Sequence, residues 1–345
     1  MCGQMAQLIL VRTMDLAVRR SVGYYLSQSS SCGFSTALRR ASKPPGGVLV
    51  GLVALYACWG SSIPAMKLMV GGIPPLAGAG GVFVVGGLVL SVAGRHGARP
   101  TWRQARRAAG VGVLLLVGGQ GLATVVLTKL TASLAAMLLA TVPLWMAALR
   151  TRGCDPPQRR GVGRLVVGFV GVGVVLLTAP ATAIGGSAIA LVGCGVAPIC
   201  WAWGSVRSAD SDHMPNDPRT SAAIQLLTGG LVLVLIAASS GQLSPNRLGE
   251  VTPASLGAAG FLLFVDSLAG FMLYQRLLRT APLALVGSYA YATPLVAAAI
   301  GVIGFGEHAW PGMGVGAVLI VVAVYYEVKA DADRDRAAPT SERYD

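Results

Sequence analysis

Residues 130–144 read LTASLAAMLLATVPL, and residues 280–295 read TAPLALVGSYAYATPL. Each stretch begins at or next to a Thr-Ala pair and ends with an Ala-Thr pair that leads into Pro-Leu, with mainly apolar residues between. The triplet WGS also occurs twice, at residues 59–61 and 203–205, with nearly the same separation. The sequence therefore predicts an internal repeat at an interval of roughly 145–150 residues.

The composition around these stretches is that of a membrane protein. Of the 345 residues, 54% are hydrophobic and 12% are charged, against about 25% charged in soluble domains. This balance disfavours a soluble enzyme, a disordered chain and a coiled coil. Ten apolar segments approach the ~20 residues that cross a bilayer, and we predict an all-α membrane protein with ten transmembrane helices. The segments are 48–69, 74–94, 108–127, 131–150, 162–179, 187–206, 221–240, 255–275, 282–304 and 310–328.

The predicted domain organisation has four parts. Residues 1–46 form a disordered, basic cytoplasmic leader, with an organelle transit peptide as the alternative because the stretch is rich in Arg and Ser and poor in acids. Residues 47–180 and 186–328 are two five-helix repeats. Residues 329–345 form a cytoplasmic C-terminal tail.

The basic residues predict the orientation of the spans. Along an alternating ten-span path, 24 of the 27 Lys and Arg residues fall on one side of the membrane. Because cytoplasmic loops carry such an excess, we predict that both termini are cytoplasmic and that the protein lies in the plasma (inner) membrane. The net charge of +13 is thus a topology signal. It predicts contact with an anionic inner leaflet and no nucleic-acid partner.

The odd number of spans per repeat has a consequence for function. After five spans the second copy enters the membrane from the opposite face, so the two repeats are predicted to be inverted. Inverted repeats are typical of secondary transporters, which bind a solute near the midplane between the two halves. We therefore expect alternating access, in which the halves exchange conformations around a central cavity.

Residues 130–144 also resemble the EamA-type transporters of the drug/metabolite transporter (DMT) superfamily. The resemblance extends over residues 48–328 and includes residues 289–298 and a Gly306-Glu307 pair. It departs in the first half, where the Gly-Glu pair after span 4 is absent. The resemblance implies the fold and the transporter class but no particular substrate. In some members of the family the last span of each repeat helps dimerisation, which makes a homodimer an option here.

We predict a secondary transporter, in particular an exporter, of small organic metabolites or drugs. The alternative is an uncoupled facilitator or exchanger of the nucleotide-sugar or triose-phosphate type, which should carry basic residues deep in its cavity. A multi-pass membrane enzyme is less favoured. The six Cys and three His form no metal-binding or catalytic motif, so we predict no catalytic residues, metal or cofactor.

Asp266 is the principal candidate for coupling to protons. It lies about 12 residues into span 8, where a carboxylate costs roughly 2.5–3.5 kcal/mol on insertion scales and therefore usually faces a cavity or a partner. Coupling to protons, where present, would run through this side chain. The alternative is a structural Asp that is hydrogen-bonded to a neighbouring residue.

Six further residues are candidates for substrate binding. Aromatic rings can stack on a flat or cationic solute, and a midspan amide can hydrogen-bond to a polar one. Matched prolines in the two repeats interrupt the helices, and such interruptions point to a transporter site. The candidates are Trp59, Gln120, Pro143, Trp203, Tyr289 and Pro294.

Overall fold

The structure is a computed structural model. It describes residues 46–93, 99–150, 159–180, 188–210, 213–248, 250–281, 283–289, 293, 300, 302–304, 306 and 308–337. The described residues form helices and connecting turns, without a β-strand. The leader predicted for residues 1–46 lies almost entirely outside the described residues, as does the end of the C-terminal tail.

Eight helical segments precede residue 180. They are α1 (Gly46–Met69), α2 (Pro75–Ala93), α3 (Trp102–Gly112), π1 (Val113–Gly121), α4 (Leu122–Val126), α5 (Ala132–Leu139), α6 (Val142–Arg150) and α7 (Arg159–Thr178). Segments α3, π1 and α4 follow one another directly and form one continuous helix. A further break, at residues 140–141, separates α5 from α6.

The second half of the chain has a similar order. It contains α8 (Ala188–Ser208), α9 (Pro218–Ser239), α10 (Pro245–Leu248), α11 (Pro253–Phe261), π2 (Leu262–Phe271), α12 (Met272–Thr280), α13 (Leu283–Gly287) and α14 (Pro311–Ala337). Segments α11, π2 and α12 are again continuous. The third long helix of each half therefore contains a π-helical segment.

Five helices of the described residues are long and apolar enough to cross a membrane. They are Gly47–Met69, Pro75–Ala93, Trp102–Val126, Pro218–Ser239 and Pro253–Thr280. They coincide with five of the ten predicted spans. The helical, membrane-spanning class is thus confirmed, while the count of ten spans stays a prediction. Large apolar side chains face outwards, such as Phe264, which is 65% exposed, as expected for a surface that contacts lipid.

Capping residues set the start of both third helices. The Thr101 hydroxyl accepts a hydrogen bond from the backbone N–H of Gln104, and the Gln104 side-chain oxygen accepts one from the backbone N–H of Thr101. Thr252 and Ser255 form the same capping box before α11. Each box satisfies two backbone donors that a helix end would otherwise leave unpaired. The two halves therefore begin their third helix by the same device.

The helices of the two halves pack on one another reciprocally. Helix α1 packs on π2, and its counterpart α8 packs on π1. Likewise α2 contacts π2, whereas α9 contacts π1. The two most extensive contacts join counterparts directly: α2 with α9, and α7 with α14. Each third helix therefore lies between the first two helices of the other half.

Glycines allow α2 and α9 to approach closely. A Cβ added to Gly230 would lie 2.7 Å from the backbone nitrogen of Val84, and one added to Gly87 would lie 2.8 Å from that of Leu227. Helices α7 and α14 use the same principle, since Gly171 and Gly316 each face the other's carbonyl oxygen. Small residues thus serve packing within one chain here. The predicted homodimer is neither supported nor opposed by these contacts.

Candidate substrate and coupling site

A cavity of about 80 Å³ lies between the two halves. This is room for several water molecules. Its walls come from α1, the continuous helix of π1 and α4, α8, π2 and the break between α5 and α6. The lining is mainly apolar and aromatic, with a few polar groups that include Ser62, Gln120 and Asp266.

Asp266 is the acidic residue of this cavity. Segment π2 carries it, and only 4% of its surface is exposed. The Gln120 side-chain amide donates a hydrogen bond of 3.2 Å to Oδ2 of Asp266. Ser62 on α1 also lines the cavity, and its hydroxyl donates to the carbonyl oxygen of Cys58. Asp266 is therefore buried at the edge of the cavity, next to a hydrogen-bond partner from the other half. Its coupling role stays a prediction.

Each π-helical segment carries one of the two polar residues that form this hydrogen bond. Gln120 lies in π1 and Asp266 in π2, so their hydrogen bond joins the third helices of the two halves. A π-helical segment widens a helix by one residue per turn and is common at functional sites. In π1, glycines admit the neighbouring helix: a Cβ on Gly118 would lie 2.8 Å from Cys200, and one on Gly119 would lie 2.8 Å from Trp201.

Four aromatic rings cluster beside the carboxylate. The Trp59 ring centroid lies 4.6 Å from that of Tyr274, 4.8 Å from that of Tyr289 and 5.4 Å from that of Trp201. Three of these rings, Trp59, Trp201 and Tyr289, line the cavity. The fully buried Tyr274 donates a hydrogen bond of 2.5 Å to Ser205 behind them. Trp59 and Tyr289 therefore border the cavity, and their part in substrate binding stays a prediction.

Trp203 is not part of the cavity, which corrects the predicted position. Its side chain is 43% exposed, and the guanidinium of Arg207 lies 5.0 Å from its ring centroid. Two residues along an α-helix turn the side chain by about 200°, so Trp201 and Trp203 face opposite sides of α8. The repeat alignment of Trp59 with Trp203 favoured the wrong tryptophan. Trp201, which is 8% exposed, takes the place in the cavity.

Of the two matched prolines, the structure describes only Pro143. Pro143 is buried and is the second residue of α6, directly after the break. Proline has no backbone N–H to donate to the carbonyl of Leu139, which helps explain why the helix is interrupted there. Leu139, Ala140 and Val142 at the break line the cavity. Pro294 lies outside the described residues, although its neighbour Thr293 also lines the cavity.

Gln225 and Lys67, two other polar residues of the spans, have structural partners. Gln225 is fully buried and exchanges hydrogen bonds with Gln275, at 2.8 and 3.3 Å, away from the cavity. The Lys67 ammonium donates to the carbonyl oxygens of Leu127 and Leu130, at 2.7 and 2.8 Å. It therefore satisfies the C-terminal carbonyl groups after α4. Among the described residues, no group of His, Cys, Asp and Glu is arranged to hold a metal ion.

An apolar helical bundle with a polar cavity between two similar halves has the architecture of an integral membrane transporter. The model of the EamA-like transporter family matches this chain twice, at residues 46–177 and 188–327. The chain belongs to the EamA-like transporter family. The two matches coincide with the two halves described above.

Curated relatives carry the same class of function in their names. An uncharacterized inner membrane transporter, YedA of Escherichia coli K12, is 31% identical over 259 residues, which cover 72% of this chain and 80% of YedA. YedA proteins of E. coli O6:H1 and O157:H7 match equally well. A crystal structure described only as a protein superposes with a TM-score of 0.61 at 18% identity, over 84% of this chain and 98% of that one. This similarity supports the fold alone.

Proposed function

We propose that this protein is a proton-coupled secondary transporter of a small organic solute that works by alternating access. The observation that carries the proposal is the hydrogen bond between Gln120 and Asp266, which joins the two family matches inside a buried cavity. A carboxyl group at this place can bind and release a proton as the two halves separate. Family membership supplies the transporter class, and the site geometry supports the coupling.

The reciprocal packing supports two repeats related by an approximate two-fold axis, and the odd number of five predicted spans per repeat makes them inverted. In such a pair, every contact between the halves should recur with the roles exchanged. The pairs α1 with π2 and α8 with π1 fulfil this expectation, as do α2 with π2 and α9 with π1. We further propose that the protein lies in the inner membrane with both termini cytoplasmic, on the basis of its loop charges and of the YedA name. Export rather than import stays a prediction.

The cavity disfavours the uncoupled carrier of phosphorylated solutes. A site for a sugar nucleotide or a triose phosphate needs cationic side chains to bind the phosphates. The described lining residues include no Lys, Arg or His. The Lys67 ammonium is hydrogen-bonded to two backbone carbonyls instead.

Transport by proteoliposomes tests the proposal. Purified protein is reconstituted and offered amino acids, purines and cationic drugs, with and without a pH gradient. We expect at least one solute to move in wild type, at a rate that responds to the gradient, and Asp266→Asn to lose that response. Glu250→Gln, which removes an exposed carboxylate, is the matched control and should behave as wild type.

The response of transport to the pH gradient has to be assigned to one titratable side chain. Asp266 is surrounded by Ser62 and Cys58 on α1, Gln120 on π1 and the ring of Tyr289, so Cys58 and Tyr289 are the neighbouring groups that can titrate. Cys58→Ser and Tyr289→Phe should therefore keep the response to the gradient. Unchanged coupling in Asp266→Asn would refute the proposed role of this residue.

A further inference from the structure

We propose that the substrate of this cavity is a small organic cation, with the Asp266 carboxylate as its counter-charge and the rings of Trp59, Trp201 and Tyr289 as its apolar walls. This inference rests on the proposed function, since it takes the same cavity as the substrate site. It adds the chemical class of the solute.

The charge of the site is the first argument. The Asp266 carboxylate receives a hydrogen bond from the neutral Gln120 amide and shares the cavity with the neutral Ser62 hydroxyl. The ion pairs of Arg107 with Asp210 and of His213 with Asp210 lie elsewhere. A compensating positive charge stabilises the charged form of a buried carboxylate. A cationic solute supplies that charge at the open face of the cavity.

The arrangement of the rings is the second argument. The planes of Trp201 and Tyr289 are inclined by 79° and 84° to that of Trp59. Rings at such angles form adjoining walls rather than a stack, and all three border the cavity. The face of an aromatic ring is negative and attracts ammonium groups, with tryptophan the strongest of the three types. Carboxylate and rings thus favour the same charge.

The remaining lining residues limit which cations fit. Ile63, Met66, Ala123 and Ala197 surround the polar groups with apolar surface. The described lining offers no basic side chain to a carboxylate or a phosphate on the solute. We therefore expect a monovalent amine or quaternary ammonium with an apolar body, and poor binding of amino-acid zwitterions, carboxylates and phosphate esters.

Calorimetric titration of the full chain in detergent at pH 8 tests this inference without the need for transport. The probes are benzyltrimethylammonium, its neutral analogue 2-phenylethanol and the anion phenylacetate. Benzyltrimethylammonium should bind, and the other two should bind at least about tenfold more weakly. Equal or tighter binding of the neutral or the anionic probe would overturn the inference.

Matched variants locate the binding site. Asp266→Asn should weaken binding of benzyltrimethylammonium by about tenfold or more, whereas Glu250→Gln leaves it unchanged. Trp201→Leu should weaken it about 5- to 30-fold, and Trp203→Leu, on the opposite face of α8, should not. If Asp266→Asn does not purify as a monodisperse protein, the tryptophan pair alone decides. Equal effects of both tryptophan variants contradict the assignment.

The two proposals can fail separately. Proton-coupled transport of a neutral or anionic solute, without binding of benzyltrimethylammonium, would leave the proposed function in place and refute the cation. Binding of benzyltrimethylammonium through Asp266, without movement of any solute across the bilayer, would support the cation site and refute transport.

Discussion

At the scale of residues, the interior of the bundle contains two kinds of polar group. Asp266 and Gln120 border the cavity, where they leave room for a solute. Gln225 and Gln275 are fully buried away from the cavity, where each amide oxygen accepts from the other residue's nitrogen. Ser208 and Ser221 complete this buried group. We propose a role in transport for the first pair and expect the second pair to stabilise the fold.

The buried glutamine pair allows a double-mutant test. Gln225→Leu removes the acceptor of the Gln275 amide and should lower the free energy of unfolding by about 1–3 kcal/mol, because a buried donor is left without a partner. Gln225→Leu combined with Gln275→Leu should cost less than the sum of the single changes. Thermal unfolding in detergent measures all three variants. Strict additivity would show that the two amides do not stabilise one another.

The chemistry of single residues was partly predictable from sequence. Charge is so scarce in the apolar segments that Asp266 and Gln120 stood out, and the structure brings them together. Trp203 was mistaken for a cavity residue because the repeated triplet aligned it with Trp59. The rotation of α8 about its own axis determines which of Trp201 and Trp203 faces the cavity. That rotation depends on the neighbouring helices, so a sequence match alone does not give it.

At the scale of elements, two irregularities shape the cavity. The π-helical segments present Gln120 and Asp266, and the break before Pro143 opens the α5–α6 wall. Pro143 marked the break in the sequence. The π-helical segments had no such marker, since they depend on how α8 and α1 pack against them. The two apolar segments were therefore predicted as plain helices.

The close packing of α2 on α9 leads to a second prediction about stability. A methyl group at Gly87 would meet the backbone and side chain of Leu227, whereas one at Gly81 on the same helix meets nothing within 4 Å. Gly87→Ala should therefore separate the two helices and lower the unfolding temperature. Gly81→Ala should leave it unchanged or raise it, because alanine favours the helix by about 0.5–1 kcal/mol over glycine. Similar unfolding temperatures for both variants would argue against this contact.

At the scale of the whole molecule, the distribution of charge predicts the orientation. Green fluorescent protein fused after residue 337 should fluoresce in a bacterial host, because the tail is expected to be cytoplasmic. Alkaline phosphatase at the same point should be inactive, since it needs the oxidising periplasm for its disulfides. Active phosphatase with a dark fluorescent protein would place the tail on the other side and reverse the topology.

If the two halves exchange conformations around one cavity, the cavity must open to each side of the membrane in turn. Ala197 lines the cavity, and Val196 beside it is 41% exposed on the outside of α8. Each can be changed to cysteine in a chain whose six native cysteines are replaced. Val196→Cys is the control for a position that faces away from the cavity.

Labelling of Ala197→Cys with a membrane-impermeant maleimide, applied to one face of oriented membranes at a time, is the most direct measurement. Alternating access predicts reaction from both faces, slowed by a bound solute, and no such protection at Val196→Cys. Reaction from one face alone, under every solute and pH condition, would contradict the account.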